Sequence, residues 1–110
     1  NKMKHKVWTE SDTVIISFSG DIDLEFSGDV RTILMESAPQ GRSIVVDLSG
    51  VELIDSSGIA SLLEAFQNAR KKGKDFTIAS INPSVMRVFN LARLETVFDI
   101  EETLEAALKR

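Results

Sequence analysis

Ser43-Ile44-Val45-Val46-Asp47-Leu48, followed shortly by Ile54-Asp55-Ser56-Ser57-Gly58-Ile59, decides the reading of this chain. The first run is β-branched and apolar without alternation, the pattern of a strand buried on both faces at the centre of a parallel sheet. After the second run, Ile59, Leu62, Leu63 and Phe66 recur at helical spacing. The tetrapeptide Asp55-Ser56-Ser57-Gly58 therefore opens a helix directly behind a central strand, and its hydroxyls stand where a helix is capped or where a phosphate can be carried.

The other elements extend outward from this unit. On the N-terminal side, Val14, Ile16 and Phe18 alternate through a strand over 13–19 that Gly20 closes. Val7 and Trp8 mark a shorter strand over 4–9, and Ser11-Asp12 makes the hairpin turn between the two. A helix is expected from Glu25 to Ser37, with Phe26, Val30, Ile33 and Leu34 on one face and Pro39-Gln40-Gly41 as the stop. The second helix is expected from Ser57 to Lys72, ended by a left-handed Gly73. Phe76, Ile78 and Ala79 form the next strand. Asn82-Pro83 starts a third helix with Val85, Val88, Phe89 and Ala92 on one face. Val97, Phe98 and Ile100 read as a last short strand. A closing helix carries Leu104 and Leu108, with Glu101 and Glu102 at its positive start and Lys109 and Arg110 at its negative end. The order ββαβαβαβα predicts one α/β domain over residues 1–110, a small mostly parallel sheet packed with about four helices.

Composition narrows the function. A hydrophobic fraction of 43% over 110 residues supplies one core, and a net charge of −4 argues against a general nucleic-acid binder. The absence of cysteine excludes disulfides and thiolate metal sites and suits a reducing cytoplasm. Membrane insertion is not expected, because no apolar run approaches the roughly 20 residues that span a bilayer. Hydrolysis by a serine nucleophile would need a base, yet the one histidine is His5 at the start of the first strand, and no G-x-S-x-G elbow occurs. No phosphate-binding loop or dinucleotide fingerprint is present, so no cofactor is expected. Asp21, Asp23 and Asp55 lack the spacing of a calcium loop and read as surface acids rather than metal ligands. Arg70-Lys71-Lys72-Gly73-Lys74 reads as cations complementing a helix end, and Trp8 as cover for the core on an edge strand.

Four features together resemble the STAS family, the bacterial anti-sigma-factor antagonists and the related domains of sulphate transporters. They are Gly20-Asp21-Ile22-Asp23, the strand Ile44-Val45-Val46-Asp47-Leu48, the loop Ile54-Asp55-Ser56-Ser57-Gly58, and Asn82-Pro83 followed by Val88-Phe89. The resemblance covers nearly the whole chain and implies a switch, not an enzyme. In the stand-alone antagonists, a serine kinase of the histidine-kinase-like ATPase fold, often itself the anti-sigma factor, phosphorylates the first serine of the tetrapeptide. A metal-dependent serine phosphatase reverses it. Carried over by position, the phosphoacceptor is Ser56, with Asp21, Asp23, Asp55, Ser57 and Gly58 as neighbours. Three departures stand out: Ile59-Ala60 where Leu-Gly is usual, an uncommon run from Leu24 to Ser27, and Arg93 where the family often has glycine.

Two roles follow from the resemblance. One is a phosphorylatable regulatory binding protein in a partner-switching cascade, and the other a constitutive accessory subunit of a membrane transport complex. For the first, the partner is expected to straddle the Ser56 turn and the polar side of the second helix, read as Ser61, Glu64, Ala65 and Asn68 opposite Leu62, Leu63 and Phe66. A helix cap formed by Ser56 or Ser57 is the plain alternative to a switch at this turn.

Overall fold

In the computed structural model, which describes residues 2–110, the strands are β1 (Lys4–Glu10), β2 (Thr13–Ile22), β3 (Ser43–Ile54), β4 (Asp75–Ala79) and β5 (Asp99–Glu101). The helices are α1 (Ser27–Ser37), α2 (Ser56–Lys71), α3 (Pro83–Leu91) and α4 (Leu104–Leu108), and the element order is the one expected. The sheet runs β1-β2-β3-β4-β5, antiparallel at β1–β2 and parallel elsewhere. The β3 run from Ile44 to Leu48 is buried at its centre, as its unbroken apolar pattern requires.

The two faces of the sheet are covered unequally. Val14, Ile16, Phe18, Ile44, Val46, Leu48 and Ile78 pack against buried residues of α1, α2 and α3 in the main core. On the other face Ile15, Val45 and Ala79 meet α4, through Ala107, Leu104 and Leu108. Phe66 of α2 stands edge-on to both Phe76 of β4 and Phe98 ahead of β5, with ring centroids 5.8 and 5.2 Å apart. Phe89 of α3 lies 5.9 Å from Phe98, so one aromatic group joins α2, β4 and α3.

Several boundaries differ from expectation, each for a physical reason. Gly20 does not end β2. At φ +88 it passes a register irregularity, and the strand continues to Ile22, which is fully buried. A Cβ at Gly20 would collide with the Lys2 carbonyl, so the close approach of the N-terminal segment also requires glycine. β3 does not stop at Leu48 either: its exposed Ser49-Gly50 step is followed by buried Val51 and Ile54, which pair with Gly20 and Ile22. α1 begins at Ser27, two residues late, because Phe26 and Ser27 first donate to the Asp23 carbonyl in a turn. Ala92 lies beyond α3 and is exposed, and Val97 is exposed ahead of a β5 confined to Asp99–Glu101. Glu101 belongs to β5, not to the start of α4, which is capped by Thr103 with Glu105 in its first turn.

The C-terminal cations have specific partners. Lys74 donates to the Ala38 and Gly41 carbonyls, both at 2.8 Å, anchoring the connection that follows α1. Arg70 lies over the Phe66 ring at 5.8 Å. Arg110 pairs with Glu101 and with Asp99, and the Glu101 bond chiefly raises its pKa.

Candidate functional site

β2 and β3 end together, and the site grows from that shared end. Ile22 pairs with Ile54, and the next amide, Asp55 N–H, donates to the Ile22 carbonyl at 3.2 Å. Asp55 then leaves the sheet in an extended conformation and caps α2. Its Oδ1 accepts the N–H groups of Ser57 at 2.9 Å and Gly58 at 3.1 Å, along with the Ser57 hydroxyl at 2.6 Å. Its Oδ2 accepts the Leu24 N–H at 3.1 Å. The Ser57 hydroxyl is the main cause of a lowered Asp55 pKa. Partial desolvation opposes it, and the bonds from Gly58, Ser57 and Leu24 N–H groups add to it.

This corrects the expected cap. Neither Ser56 nor Ser57 caps α2: the carboxylate accepts charge-assisted bonds from two helix amides, and the Ser57 hydroxyl is spent on that carboxylate. Ser56 occupies the first helical position and is exposed, with no hydrogen bond to its hydroxyl among the described residues. It sits at the positive end of α2, a setting that accommodates an anion.

Two backbone features hold this arrangement. Gly58 is buried, and a Cβ there would stand 2.7 Å from both Ile22 Cγ2 and the Ile22 carbonyl and 2.8 Å from Ile54 Cγ1. The first turn of α2 thus rests directly on the ends of β2 and β3. Asp23 accepts the Glu25 N–H on its own Oδ1 at 3.0 Å, folding the loop that presents Leu24. Asp23 and Asp55 thus hold consecutive amides of this loop, those of Glu25 and Leu24. Asp21 lies two residues back on β2, paired in register with Leu53 and half-buried. Among the described residues no group of three or more acids or histidines is placed to hold a metal ion.

The expected partner face on α2 needs correction. Ser61 and Ala65 are each 6% exposed and face α1, the Ser61 hydroxyl donating to the Ser27 carbonyl at 2.9 Å. Glu64 is exposed but forms an ion pair with Arg31 of α1 at 2.6 Å, and Asn68 is half-buried. Ser61, Ala65 and Ala69 recur at four-residue spacing, and their small side chains let α1 approach. What α2 presents to solvent is Ser56, Ala60, Glu64, Gln67, Arg70 and Lys71, and with Glu64 paired to Arg31 and Arg70 set over Phe66 the uncommitted ridge is Ser56, Ala60, Gln67 and Lys71. Two large apolar side chains are exposed next to this region, Leu24 at 79%, the first residue of the uncommon run Leu24 to Ser27, and Leu53 at 47%, which the sequence reading did not single out. Leu24 can be noticed in sequence as the apolar start of that run. Leu53 cannot, because its exposure depends on the late course of β3.

Comparison with known proteins agrees with this fold. The family model described as the STAS domain matches residues 6–107. The anti-sigma F factor antagonist of Paenibacillus polymyxa is 30% identical over 98 residues, covering 86% of this chain and 83% of that protein. A crystal structure of an anti-sigma factor antagonist from Mycobacterium paratuberculosis superposes with a TM-score of 0.90 at 25% identity, covering 98% of this chain and 92% of that one. At the level of fold alone, the Bacillus cell fate determinant SpoIIAA in its phosphorylated form matches with a TM-score of 0.67 at 18% identity, covering 97% and 98%. Among the described residues no helix is long and apolar enough to cross a membrane.

Proposed function

Because the chain belongs to the STAS domain family, we propose that it is a regulatory binding protein of the anti-sigma-factor-antagonist kind, switched by reversible phosphorylation of Ser56. Its partner is an anti-sigma factor that is also a serine kinase of the histidine-kinase-like ATPase fold, and a metal-dependent serine phosphatase resets it. The observation that carries this reading is the division of labour at the start of α2. Asp55 does the capping, so the adjacent Ser56 hydroxyl is exposed and structurally idle.

Phosphorylation there adds roughly −1.5 to −2 charge and three acceptor oxygens. The dianion can be tolerated at the helix start, so the domain stays folded. It nevertheless follows directly on the Asp55 carboxylate, which also holds the loop that displays the exposed Leu24. A partner surface built to bury this helix start and Leu24 would have to desolvate the phosphate as well, and that cost ejects the partner. The contact surface on this reading is Ser56, Ala60 and Gln67 together with Leu24 and Leu53.

The test is intact mass with site mapping of the protein isolated from its own cells, beside a Ser56→Ala variant. One phosphate on Ser56, absent from the variant, is the expected result, with capture of an ATP-binding serine kinase by the unmodified form. Protein that carries no phosphate under any growth condition would overturn the switch and leave a constitutive accessory subunit of a transport complex as the reading.

A further inference from the structure

We propose that the cleft beneath α4, on the second face of the sheet, is a binding site for a small organic ammonium ion, a protonated amine on a short apolar stem. The cleft lies at the end of the sheet opposite Ser56. Thr13, Ser43, Asp75 and Asp99, each the first residue of its strand, line it. Its volume is about 210 Å³, the share of about seven water molecules in the liquid.

Strand register brings three polar side chains together there. Thr77 pairs with Asp99 on the neighbouring strand, about 4.8 Å away, and Asp75 precedes Thr77 by two residues on the same face. Val45, the partner of Thr77 on β3, is covered by α4, so this face is the α4 side. Thr77 is 4% exposed, and its hydroxyl has no hydrogen-bond partner among the described residues. What solvent reaches of this side chain opens on the cleft. Hydroxyls buried to this degree are nearly always bonded, so this one points to a polar atom supplied from outside the chain.

Charge decides the chemistry of that atom. Asp75 makes no hydrogen bond or ion pair among the described residues, and Lys74 beside it is held by the Ala38 and Gly41 carbonyls. Arg110 alone among the lining residues is cationic, and its guanidinium is already bound to Glu101 and, at 3.5 Å, to Asp99. The cleft therefore offers one free carboxylate, one half-engaged carboxylate and a free hydroxyl, with Ala107 and Leu108 of α4 as apolar wall. An ammonium group carries three donors and no acceptor, which suits this set. An anion would meet Asp75 with no uncommitted cation lining the cleft to offset it. A divalent metal ion is poorly served, because among the described residues no three acids or histidines are grouped to hold one.

So small a ligand binds weakly, with a dissociation constant on the order of 1 mM at pH 7, where the amine is protonated. Titration with butylammonium chloride from about 0.1 to about 20 mM, followed by amide NMR shifts, spans that range. Saturable shifts are expected at Asp75, Thr77, Asp99, Ala107 and Leu108, and none around Ser56. Butanol and sodium butyrate, the neutral and anionic matches, should leave those amides in place, and sodium chloride should do the same. Asp75→Asn should weaken butylammonium binding by about tenfold and Thr77→Val by about threefold. Neither side chain has a hydrogen-bond partner to lose, so both variants should melt with the wild type, and the exposed Asp75→Asn decides alone if Thr77→Val fails to fold. Butanol or butyrate binding as well as the amine overturns the proposal, as does a response that sodium chloride reproduces. Undiminished binding by Asp75→Asn, or no localised shift at the top concentration, overturns it equally and leaves the cleft to solvent.

Discussion

Asp55 joins two separate backbones: Oδ2 holds the Leu24 N–H at 3.1 Å while Oδ1 holds the first turn of α2. The helix that carries Ser56 and the loop that displays Leu24 are fixed to the same carboxylate. Asp55→Asn keeps the shape but loses the charge, and Asp55→Ala removes the cap, which costs about 1–2 kcal/mol. Because the folded pKa lies below the unfolded value of about 3.9, the charge-dependent stabilisation is complete above that pH and is lost as pH falls through the lowered folded pKa. Urea melts should show a wild-type advantage over Asp55→Asn at pH 7 that shrinks only below about pH 4. An advantage that varied instead between pH 6 and 8 would place its origin in another group.

Ser56 makes no structural contribution that a substitution could remove, so stability and binding should separate there. Ser56→Ala should change stability by less than about 0.5 kcal/mol. Ser56→Asp places a negative charge in the first turn of α2 and should stabilise by about 0.3–1 kcal/mol at low salt. The same Asp variant should bind the kinase at least about tenfold more weakly by calorimetry. Tight binding by a well-folded Ser56→Asp would remove the phosphate from the mechanism.

Gly58 is required for space. Gly58→Ala in an open helix would gain about 1 kcal/mol, yet here the added methyl meets Ile22 and Ile54 at 2.7–2.8 Å. Overpacking of about 1–3 kcal/mol should outweigh the gain and lower the melting temperature. The displaced turn should also slow phosphorylation of Ser56, which a kinase assay on the folded variant reads directly.

Much of the fold can be read from the chain, and the exceptions share a cause. Ile44 to Leu48 declare a two-sided strand, and Asn82-Pro83 declare a helix start that the structure keeps, with Asn82 Oδ1 accepting the Val85 N–H. The extension of β2 through Gly20 and of β3 through Ser49-Gly50 is invisible locally, because glycine reads as a terminator until a neighbouring strand is there to pair with it. The choice of Asp55 over two adjacent serines as the cap depends on the Leu24 amide, which is distant in sequence. Ser61 and Ala65 misled for a related reason. Small or polar residues look solvent-facing in one helix considered alone, and only the packing of α1 turns them inward.

Arg93 sits at φ +59, in the left-handed region that favours glycine. Its backbone is held there by the Thr96 N–H and hydroxyl, both donating to its carbonyl. Arg93→Gly should relieve about 1 kcal/mol and raise the melting temperature by about 4 °C. A fall in melting temperature would mean that the arginine side chain contributes more than the strain costs.

The corrected partner face gives the sharpest contrast between neighbouring residues of one helix. Ala60 lies on the exposed ridge one turn after Ser56, whereas Glu64 is committed to Arg31 on α1. Both members of that ion pair are about half exposed, at 54% and 52%, so breaking it with Glu64→Lys should cost no more than about 0.5 kcal/mol. It should leave kinase binding within about threefold. Ala60→Arg should leave the fold intact but drive a long charged side chain into the contact, weakening binding by about tenfold or more. Leu24→Ser should do the same by removing an apolar anchor, again with little change in melting temperature. If Glu64→Lys were the disruptive change and Ala60→Arg the silent one, the partner would lie across the seam between α1 and α2, and the Ser56 ridge would no longer be the surface that phosphorylation controls.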